Sequence, residues 1–205
     1  MTRAAVLTRD DRTASLNIMT FRNTRSSWGT LSKALHWLIV LGIITQWSIA
    51  EYADGLSLLK KIPVLNIHKS IGITILALAV IRLVWRWSNP VPELDSKTRP
   101  WERVLAHLSH VLLYALIFAM PLSGWLMSSA KNIPVSWFKL FQLPDLVGPD
   151  KEFGETMQHL HHLLFDVLLV VAVVHVLGAL KHAVIDRNDV LRRMLPFTKV
   201  PENSP

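Results

Sequence analysis

Four long apolar segments dominate this sequence, at residues 34 to 53, 64 to 84, 104 to 127 and 160 to 183. Each is about 20 residues or longer, which at 1.5 Å per residue lets a helix cross a hydrocarbon layer of about 30 Å. The intervening segments carry the proline, glycine and charged residues typical of connections. The sequence therefore predicts an all-α integral membrane protein, a four-helix bundle with three connections and no internal repeat.

Composition agrees with a membrane protein and narrows its chemistry. Of the 205 residues, 18% are charged and 51% are hydrophobic, whereas soluble domains carry about 25% charged residues. The chain contains no cysteine, which excludes disulfides, thiolate metal sites and covalently attached c-type haem. A net charge of +7 and a pI near 10 would suggest nucleic acid as the partner of a soluble protein. A membrane topology explains the basic residues without nucleic acid.

The distribution of lysine and arginine predicts the orientation. Six lie before the first apolar segment, five flank the second connection and five lie from Lys181 to the C-terminus, against six on the opposite side. Because basic residues accumulate on the cytoplasmic side, we expect a multi-pass protein of the bacterial inner membrane with both termini cytoplasmic. Residues 1–30 are predicted to form a basic, disordered tail, 31–196 the transmembrane domain and 197–205 a C-terminal tail. Met1 and Met19 both remain candidates for the start.

Histidines supply the chemistry. Eight of the nine lie within or at the ends of the apolar segments, where ionisable side chains usually face a bundle interior. His161 and His175 are fourteen residues apart. At 100° per residue they lie within about 40° of one helix face, and about 21 Å apart along the axis. One helix could thus provide an axial ligand to each of two haems at different membrane depths.

The predicted topology supplies a partner for each of these ligands. His36 begins the first segment at the cytoplasmic depth of His175, and His68 lies near the start of the second at the periplasmic depth of His161. Each iron would be held by two neutral imidazoles, which gives a low-spin centre suited to electron transfer. His162 fits less well than His161, because it lies about 140° from His175. The alternative is that each histidine is a packed, hydrogen-bonded interfacial residue.

Two further ionisable residues lie within the apolar segments. Arg82, fourteen residues after His68, reaches the depth of the cytoplasmic pair, where it could meet a haem propionate; snorkelling to the interface is the alternative. Asp166 lies one turn after His162, and a hydrogen bond between them would satisfy its carboxylate, with proton transfer as the alternative role. Residues 134 to 143, with three aromatic residues, are predicted to lie along the periplasmic interface.

Five stretches surround these residues: Ala34-Leu35-His36-Trp37, Asn66-Ile67-His68-Lys69-Ser70-Ile71-Gly72, Ala106-His107-Leu108-Ser109-His110, the run from His161 to His175, and Arg187-Asn188-Asp189-Val190-Leu191-Arg192-Arg193-Met194. Together they resemble the bacterial cytochrome b561 family over residues 31 to 196. They are also similar to the membrane cytochrome b subunits of nickel-iron hydrogenases and formate dehydrogenases. The resemblance implies two haem b groups with His36, His68, His161 and His175 as iron ligands, the set that spacing and depth also predict.

The resemblance also implies a function. One branch of the family acts as a superoxide:ubiquinone oxidoreductase, which takes electrons from superoxide at the periplasmic face and reduces ubiquinone in the membrane. Because quinone reduction consumes protons, His110 and His182 near the cytoplasmic pair are the candidate quinone contacts, with exposure to head groups as the alternative. Six periplasmic lysines, among them Lys69 beside His68, could attract the superoxide anion.

Two other classes of function remain open. The chain could be a cytochrome b conduit or anchor subunit that passes electrons between the quinone pool and a periplasmic redox partner. It could also be a structural or transport bundle without a cofactor. Copurification of a larger complex would favour the conduit, and a colourless protein would favour the cofactor-free bundle.

Overall fold

The computed structural model describes residues 21–93, 98–196 and 198. Its four long helices are α1, Thr30–Asp54; α2, Leu58–Trp87; α3, Pro100–Ala130; and α4, Lys151–Val184. A short helix, α5, follows at Val190–Met194. Each of the four long helices is long and apolar enough to cross a membrane, so the prediction of an all-α membrane bundle is confirmed.

The first connection is shorter than predicted. It was expected to run from residue 54 to Pro63, but α2 already begins at Leu58. The carbonyl of Ser57 accepts hydrogen bonds from the N–H groups of Lys60 and Lys61 at 2.9 Å, which starts the helix. Pro63 is the sixth residue of α2, so the helix continues through it without the hydrogen bond that its N–H would otherwise donate to the carbonyl of Leu59.

Capping groups set the start of α3 and of α4. Helix α3 begins with proline, and the Glu102 carboxylate accepts a hydrogen bond from the Arg99 N–H at 3.2 Å. Helix α4 begins after Asp150, whose carboxylate accepts from the Phe153 N–H at 3.0 Å. The Asp150 N–H donates to the Ala130 carbonyl at 2.9 Å, which joins the start of α4 to the end of α3.

Helices α1 and α2 pack against each other, as do α3 and α4, and α2 also packs against α3. The buried core is small and centres on Ala79, Leu116, Ile117 and Leu168. The outward face carries large apolar side chains, such as Val170, which is 63% exposed. An apolar surface of this kind is suited to lipid, because soluble proteins rarely leave large contiguous apolar patches facing water.

The connection between α3 and α4 contains an antiparallel hairpin. Its strands are β1, Ser136–Trp137, and β2, Phe141–Gln142, with Trp137 opposite Phe141. At the tip, Phe138 and Lys139 have positive φ angles of 46° and 62°, and the Leu140 N–H donates to the Trp137 carbonyl at 2.9 Å. Two consecutive residues with positive φ are typical of a type I′ turn. The predicted interfacial segment, 134 to 143, is this hairpin.

Hydrogen bonds hold the hairpin against α2 next to His68. The Phe138 N–H donates to the Ser70 hydroxyl at 3.0 Å, and the Trp137 indole N–H donates to the Thr74 hydroxyl at 3.0 Å. Ser70 is 2% exposed, so the contact is buried. The hairpin therefore marks the end of the bundle at which α1 ends and α2 and α4 begin.

The N-terminal and C-terminal parts of the described chain both lie at the opposite end of the bundle. Asn23 is buried there, and its side chain accepts from the Gly29 N–H at 2.9 Å and donates to the Pro90 carbonyl at 3.0 Å. Residues 21–29 thus pack against the connection between α2 and α3. The first twenty residues of the predicted N-terminal tail, and the predicted C-terminal tail apart from Thr198, lie outside the described residues.

Candidate functional site

Two pairs of histidine rings face each other across the bundle. At the end that carries the hairpin, His68 of α2 and His161 of α4 have ring centres 6.3 Å apart, with the ring planes at 72°. At the end that carries the chain termini, His36 of α1 and His175 of α4 have ring centres 6.5 Å apart, with the planes at 68°. We name these the hairpin-end pair and the termini-end pair. They are the two pairs predicted from spacing and depth.

The separation of the rings fits a metal ion held between them. An imidazole nitrogen lies about 2.0 Å from a bound metal and its ring centre about 1.1 Å further, so two opposed ligands have ring centres about 6.2 Å apart. Both pairs are close to this distance. A third ring, His110, is 5.2 Å from His175, which is too short for ligands on opposite sides of one metal. His36 is therefore better placed than His110 to be the ligand on the opposite side of the metal from His175.

Helix α3 orients the ring of His161. The Nδ1 atom lies 3.1 Å from the Met120 carbonyl and 3.0 Å from the Ser123 hydroxyl, which itself donates to that carbonyl at 2.8 Å. Because a carbonyl only accepts, Nδ1 carries the proton and Nε2 keeps its lone pair. A fixed tautomer with a hydrogen-bonded second nitrogen is the usual arrangement of a metal-binding histidine.

Gly124 gives this ring its space. A Cβ atom at Gly124 would lie 3.2 Å from His161 Cε1, closer than most real Cβ contacts, so a larger residue would push the ring aside. Neither Gly124 nor Ser123 was predicted from the sequence. The available signal was a small and a polar residue side by side in an apolar span, since such residues mark close contacts between membrane helices.

His68 has a ring nitrogen without a partner. Its Nδ1 is buried and makes no hydrogen bond within the part of the chain that the structure describes, although buried polar atoms nearly always have a partner. The backbone of this residue is held by Gln46 of α1, whose side-chain amide donates to the His68 carbonyl at 2.9 Å. An unsatisfied buried imidazole nitrogen is suited to a group that the protein chain does not itself provide.

Arg82 lies at the termini-end pair, at the depth predicted from its spacing. Its guanidinium donates to the Ser32 carbonyl at 2.9 Å. The planar guanidinium has five N–H donors, enough to bind this carbonyl and an anionic group together. It is close enough to act electrostatically on the three rings at this end: His36, His110 and His175.

Arg86, one turn further along α2, has a different environment. Its guanidinium lies over the rings of Trp28 and Tyr114, 5.9 and 5.8 Å from their centres. Cations over aromatic faces are attracted by the ring electrons. Arg86 also acts electrostatically on His110, whereas Arg82 acts on His36 and His175 as well.

His182 lies at the termini end of α4 within an ionic network. Its Nδ1 is 2.7 Å from Asp186 Oδ2. The Lys181 ammonium donates to the same oxygen at 2.8 Å and to Glu102 Oε1 of α3 at 2.5 Å. The hydrogen bond from Lys181 lowers the pKa of Asp186. His182, Glu102 and Asp186 are close enough to ligate a metal ion, but the Lys181 ammonium already lies between the two carboxylates.

The predicted hydrogen bond between His162 and Asp166 does not form. Among the described residues no hydrogen bond joins their side chains, although the two residues lie one turn apart on α4. The ring of His162 has its centre 6.4 Å from that of His161. Both His162 and Asp166 are exposed on the outer surface of the bundle.

The lysines predicted to attract an anion are partly engaged elsewhere. Four of the six have partners: Lys61 with Asp54 at 2.7 Å, Lys69 with the Pro134 carbonyl at 3.0 Å, Lys131 with Gln158, and Lys151 with Glu155 at 4.0 Å. Pairing with a carboxylate cancels the field of a lysine at a distance, whereas pairing with a neutral oxygen does not. Lys69 therefore keeps its charge while being fixed beside His68.

A membrane-spanning bundle that holds opposed imidazoles at two depths defines a class of protein, the membrane cytochromes. Since the chain has no cysteine, the haem is of the non-covalent b type. The histidine pairs are the residues that would hold it. The ring separations, the fixed tautomer of His161 and the unsatisfied nitrogen of His68 all fit this group.

Comparison with known proteins identifies the family. The model of prokaryotic cytochrome b561 matches residues 27–197. Cytochrome b561 homolog 2 of Escherichia coli (strain K12) is 38% identical over 183 residues, 86% of this chain and 95% of the relative. A protein of Yersinia pestis named "Probable superoxide oxidase CybB" is 29% identical over 169 residues, 82% of this chain and 96% of the relative. The chain belongs to the prokaryotic cytochrome b561 family and is a multi-pass bacterial membrane cytochrome of electron transport.

Proposed function

We propose that this cytochrome holds two haem b groups and carries electrons from superoxide at the periplasmic face to ubiquinone in the membrane. The observation that carries the proposal is that one helix, α4, contributes His161 and His175 to two separate ring pairs. A haem iron held by two imidazoles gains and loses single electrons without exchanging its ligands. The two pairs lie about 21 Å apart along α4, which spans much of the hydrocarbon layer.

The direction of transfer rests on the orientation. We assign the hairpin end to the periplasm and the termini end to the cytoplasm of the bacterial inner membrane, because the termini end carries most of the basic residues. The basic residues on the hairpin side are all lysines. In this orientation superoxide meets the hairpin-end pair, and ubiquinone is reduced near the termini-end pair.

Oxidation of superoxide at the hairpin end requires no vacant iron position. His68 and His161 would hold the haem iron, and the bound haem would accept one electron from each superoxide anion, which leaves as O₂. The name of the Yersinia pestis relative supports this donor. Lys69 supports it as well, since its ammonium is held beside the hairpin-end pair by a neutral carbonyl and attracts anions.

Reduction of one ubiquinone to ubiquinol consumes two electrons and two protons, so two superoxide anions are oxidised to two O₂ for each ubiquinol formed. His110, next to His175, is placed to donate a hydrogen bond to a quinone oxygen. His182, hydrogen-bonded to Asp186 at the cytoplasmic surface, is placed to take up protons. Arg82 binds a haem propionate in this proposal, through the donors that do not contact Ser32.

The proposal is tested by recording the visible spectrum of the purified, oxidised protein under a steady flux of superoxide. A b-type α band that grows rapidly, is suppressed by superoxide dismutase and disappears when ubiquinone is added would support it. If ubiquinol reduces the haems but superoxide does not, the chain is a conduit or anchor subunit that serves a periplasmic redox partner. A protein without a haem band would contradict the assignment of the ligands.

A matched pair of variants tests the quinone contact. His110→Gln is expected to slow reoxidation by ubiquinone while leaving the haem content and the rate of reduction by superoxide unchanged. His107→Gln, one turn earlier on α3 and exposed, is the control and should reoxidise like the unmodified protein. Equal reoxidation rates for both variants would show that His110 does not contact the quinone.

A further inference from the structure

The outward face of α4 carries a carboxylate within an apolar span. Asp166 lies six residues after the start of the fourth apolar segment, 160 to 183, which puts it about 9 Å inside that segment at 1.5 Å per residue. It is nine residues from His175 and therefore about 180° away from that ligand around the helix. Asp166 is exposed, so it faces the lipid and not the histidine pairs.

The neighbours of Asp166 on this face are apolar and exposed. They recur at helical spacing, and we name them together with Asp166 the outer stripe of α4: Leu163, Asp166, Val170, Val173 and Leu177, of which the four apolar members are 58%, 63%, 48% and 58% exposed. Among the described residues Asp166 has no hydrogen-bond or ion-pair partner. A carboxylate that faces hydrocarbon is unfavourable, and such residues in membrane helices nearly always have a partner.

We propose that the outer stripe is an interface between two copies of this chain in the membrane, in which Asp166 of one copy accepts a hydrogen bond from His162 of the other. His162 is exposed one turn nearer the hairpin end of α4. Two copies share one orientation, so their α4 helices run parallel. A crossing near residue 164 brings each His162 close to the partner's Asp166, with about 6 Å between their levels along the axis, the same offset as between positions i and i+4 of one helix. The contact forms twice, as two-fold symmetry requires.

The chain itself supplies both members of the contact, which is why the partner is a second copy. A neutral imidazole always has one N–H donor, and polar side chains that bond across helices stabilise membrane helix pairs. Asp54 lies within electrostatic range of His162, but its carboxylate is held by Lys61 at 2.7 Å. Asp166 and His162 thus form a self-complementary pair on one surface. This inference does not depend on the electron donor or acceptor.

Because the chain contains no cysteine, single-cysteine variants can report one contact each. Leu163→Cys lies on the outer stripe between His162 and Asp166. Ser48→Cys of α1 is the matched control: Ser48 is exposed, and it is twelve residues from His36 just as Leu163 is twelve from His175, so the depths agree. In lipid vesicles under mild oxidation, Leu163→Cys is expected to form disulfide-linked dimers about tenfold faster than Ser48→Cys, because only facing cysteines meet the required geometry.

A second measurement tests the hydrogen bond itself. Energy transfer between fluorescently labelled copies, recorded as the protein is diluted in lipid, gives the dissociation constant of the dimer. Asp166→Leu is expected to raise this constant about tenfold or more, since two symmetric hydrogen bonds are lost. His162→Asp combined with Asp166→His should restore association, because each copy again carries one donor and one acceptor.

Equal rates of cross-linking for Leu163→Cys and Ser48→Cys would overturn the proposal, as would a dissociation constant that Asp166→Leu leaves unchanged. The helical circular dichroism of each variant shows that it is folded. Neither measurement uses electron transfer, so a monomeric protein would leave the proposed superoxide reaction intact. A dimer that fails to oxidise superoxide would leave the interface intact.

Discussion

The two histidine pairs share helix α4, yet their surroundings differ in kind. At the hairpin end, uncharged hydrogen bonds hold the residues: His161 is fixed by Met120 and Ser123, and the backbone of His68 is held by Gln46. At the termini end, the Arg82 guanidinium acts on the rings from nearby. Neutral hydrogen bonds fix ligand geometry, whereas a cation changes the energy of an added electron. Lys69 is also a cation beside His68, but its hydrogen bond is exposed, whereas that of Arg82 is partly buried, so the charge of Arg82 is screened less by water.

This difference gives the electron a preferred direction. Adding an electron to a haem lowers its net charge, and a nearby cation stabilises the reduced form. With a haem bound at each pair, Arg82 would therefore make the termini-end site the easier one to reduce. Electrons that enter at the hairpin end would move towards Arg82, in agreement with the proposed flow from superoxide to ubiquinone.

The largest expected effect comes from removing one ligand of one pair. His68→Leu should lose the hairpin-end haem and keep the other, and His36→Leu should do the reverse, because each iron needs both of its imidazoles. The pyridine haemochrome assay should give one haem per protein for each variant and two for the unmodified chain. Loss of both haems in either variant would mean that the pairs are not independent sites.

The next effect concerns the fixed geometry of the hairpin end. Ser123→Ala removes the hydroxyl that supports His161 Nδ1 and should weaken haem retention there about tenfold, the usual cost of losing an outer partner of a metal ligand. Transfer of haem to an acceptor protein measures this rate. Ser109→Ala is the control, since Ser109 is also buried and bonds only within α3, at 2.9 Å to Ala106. Equal rates for both variants would show that Ser123 does not support the ligand.

A smaller effect tests the charge at the termini end. Arg82→Gln removes the cation and should lower the midpoint potential of the termini-end haem by about 60 mV, which is a tenfold change for one electron. Arg86→Gln should change it less, because Arg82 acts electrostatically on the ligand rings His36 and His175, whereas Arg86 acts on His110 and not on these two. Redox titration of the α band measures both potentials. A change in the midpoint potential of the hairpin-end haem alone would show that Arg82 does not act on the termini-end site.

The smallest effect is on stability and acts through Asp186. Its pKa is lowered in the folded protein by the hydrogen bond from Lys181, so its contribution is present above the unfolded pKa and is lost as pH falls through the folded pKa. Asp186→Asn should lower the melting temperature slightly at pH 7 and not at all once the carboxyl of the unmodified protein is protonated. Asp145→Asn, in the connection at the hairpin end, is the control. A difference that persists in acid would exclude this linkage.

The fold was predictable because hydropathy and charge are local properties of the chain. The four spans follow from runs of apolar residues, and the pairing of His36 with His175 follows from the depth at which each begins or ends its span. The start of α2 was missed, since proline at Pro63 suggested a connection and the helix tolerates it. The hydrogen bond predicted between His162 and Asp166 does not form, because spacing along a helix permits a contact without requiring it.

The sequence by itself determined the four spans and the depths at which the histidines meet. Periodicity and hydropathy act within a single helix, so they can be read without knowing its neighbours. Only the tertiary structure decided that Ser123 and Gly124 contact His161, that the hairpin lies against Ser70, and that Asp166 faces outward without a partner. These features depend on how the helices are rotated and packed against one another. The contacts join residues far apart in the chain, and the exposure of Asp166 depends on which face of α4 the other helices cover.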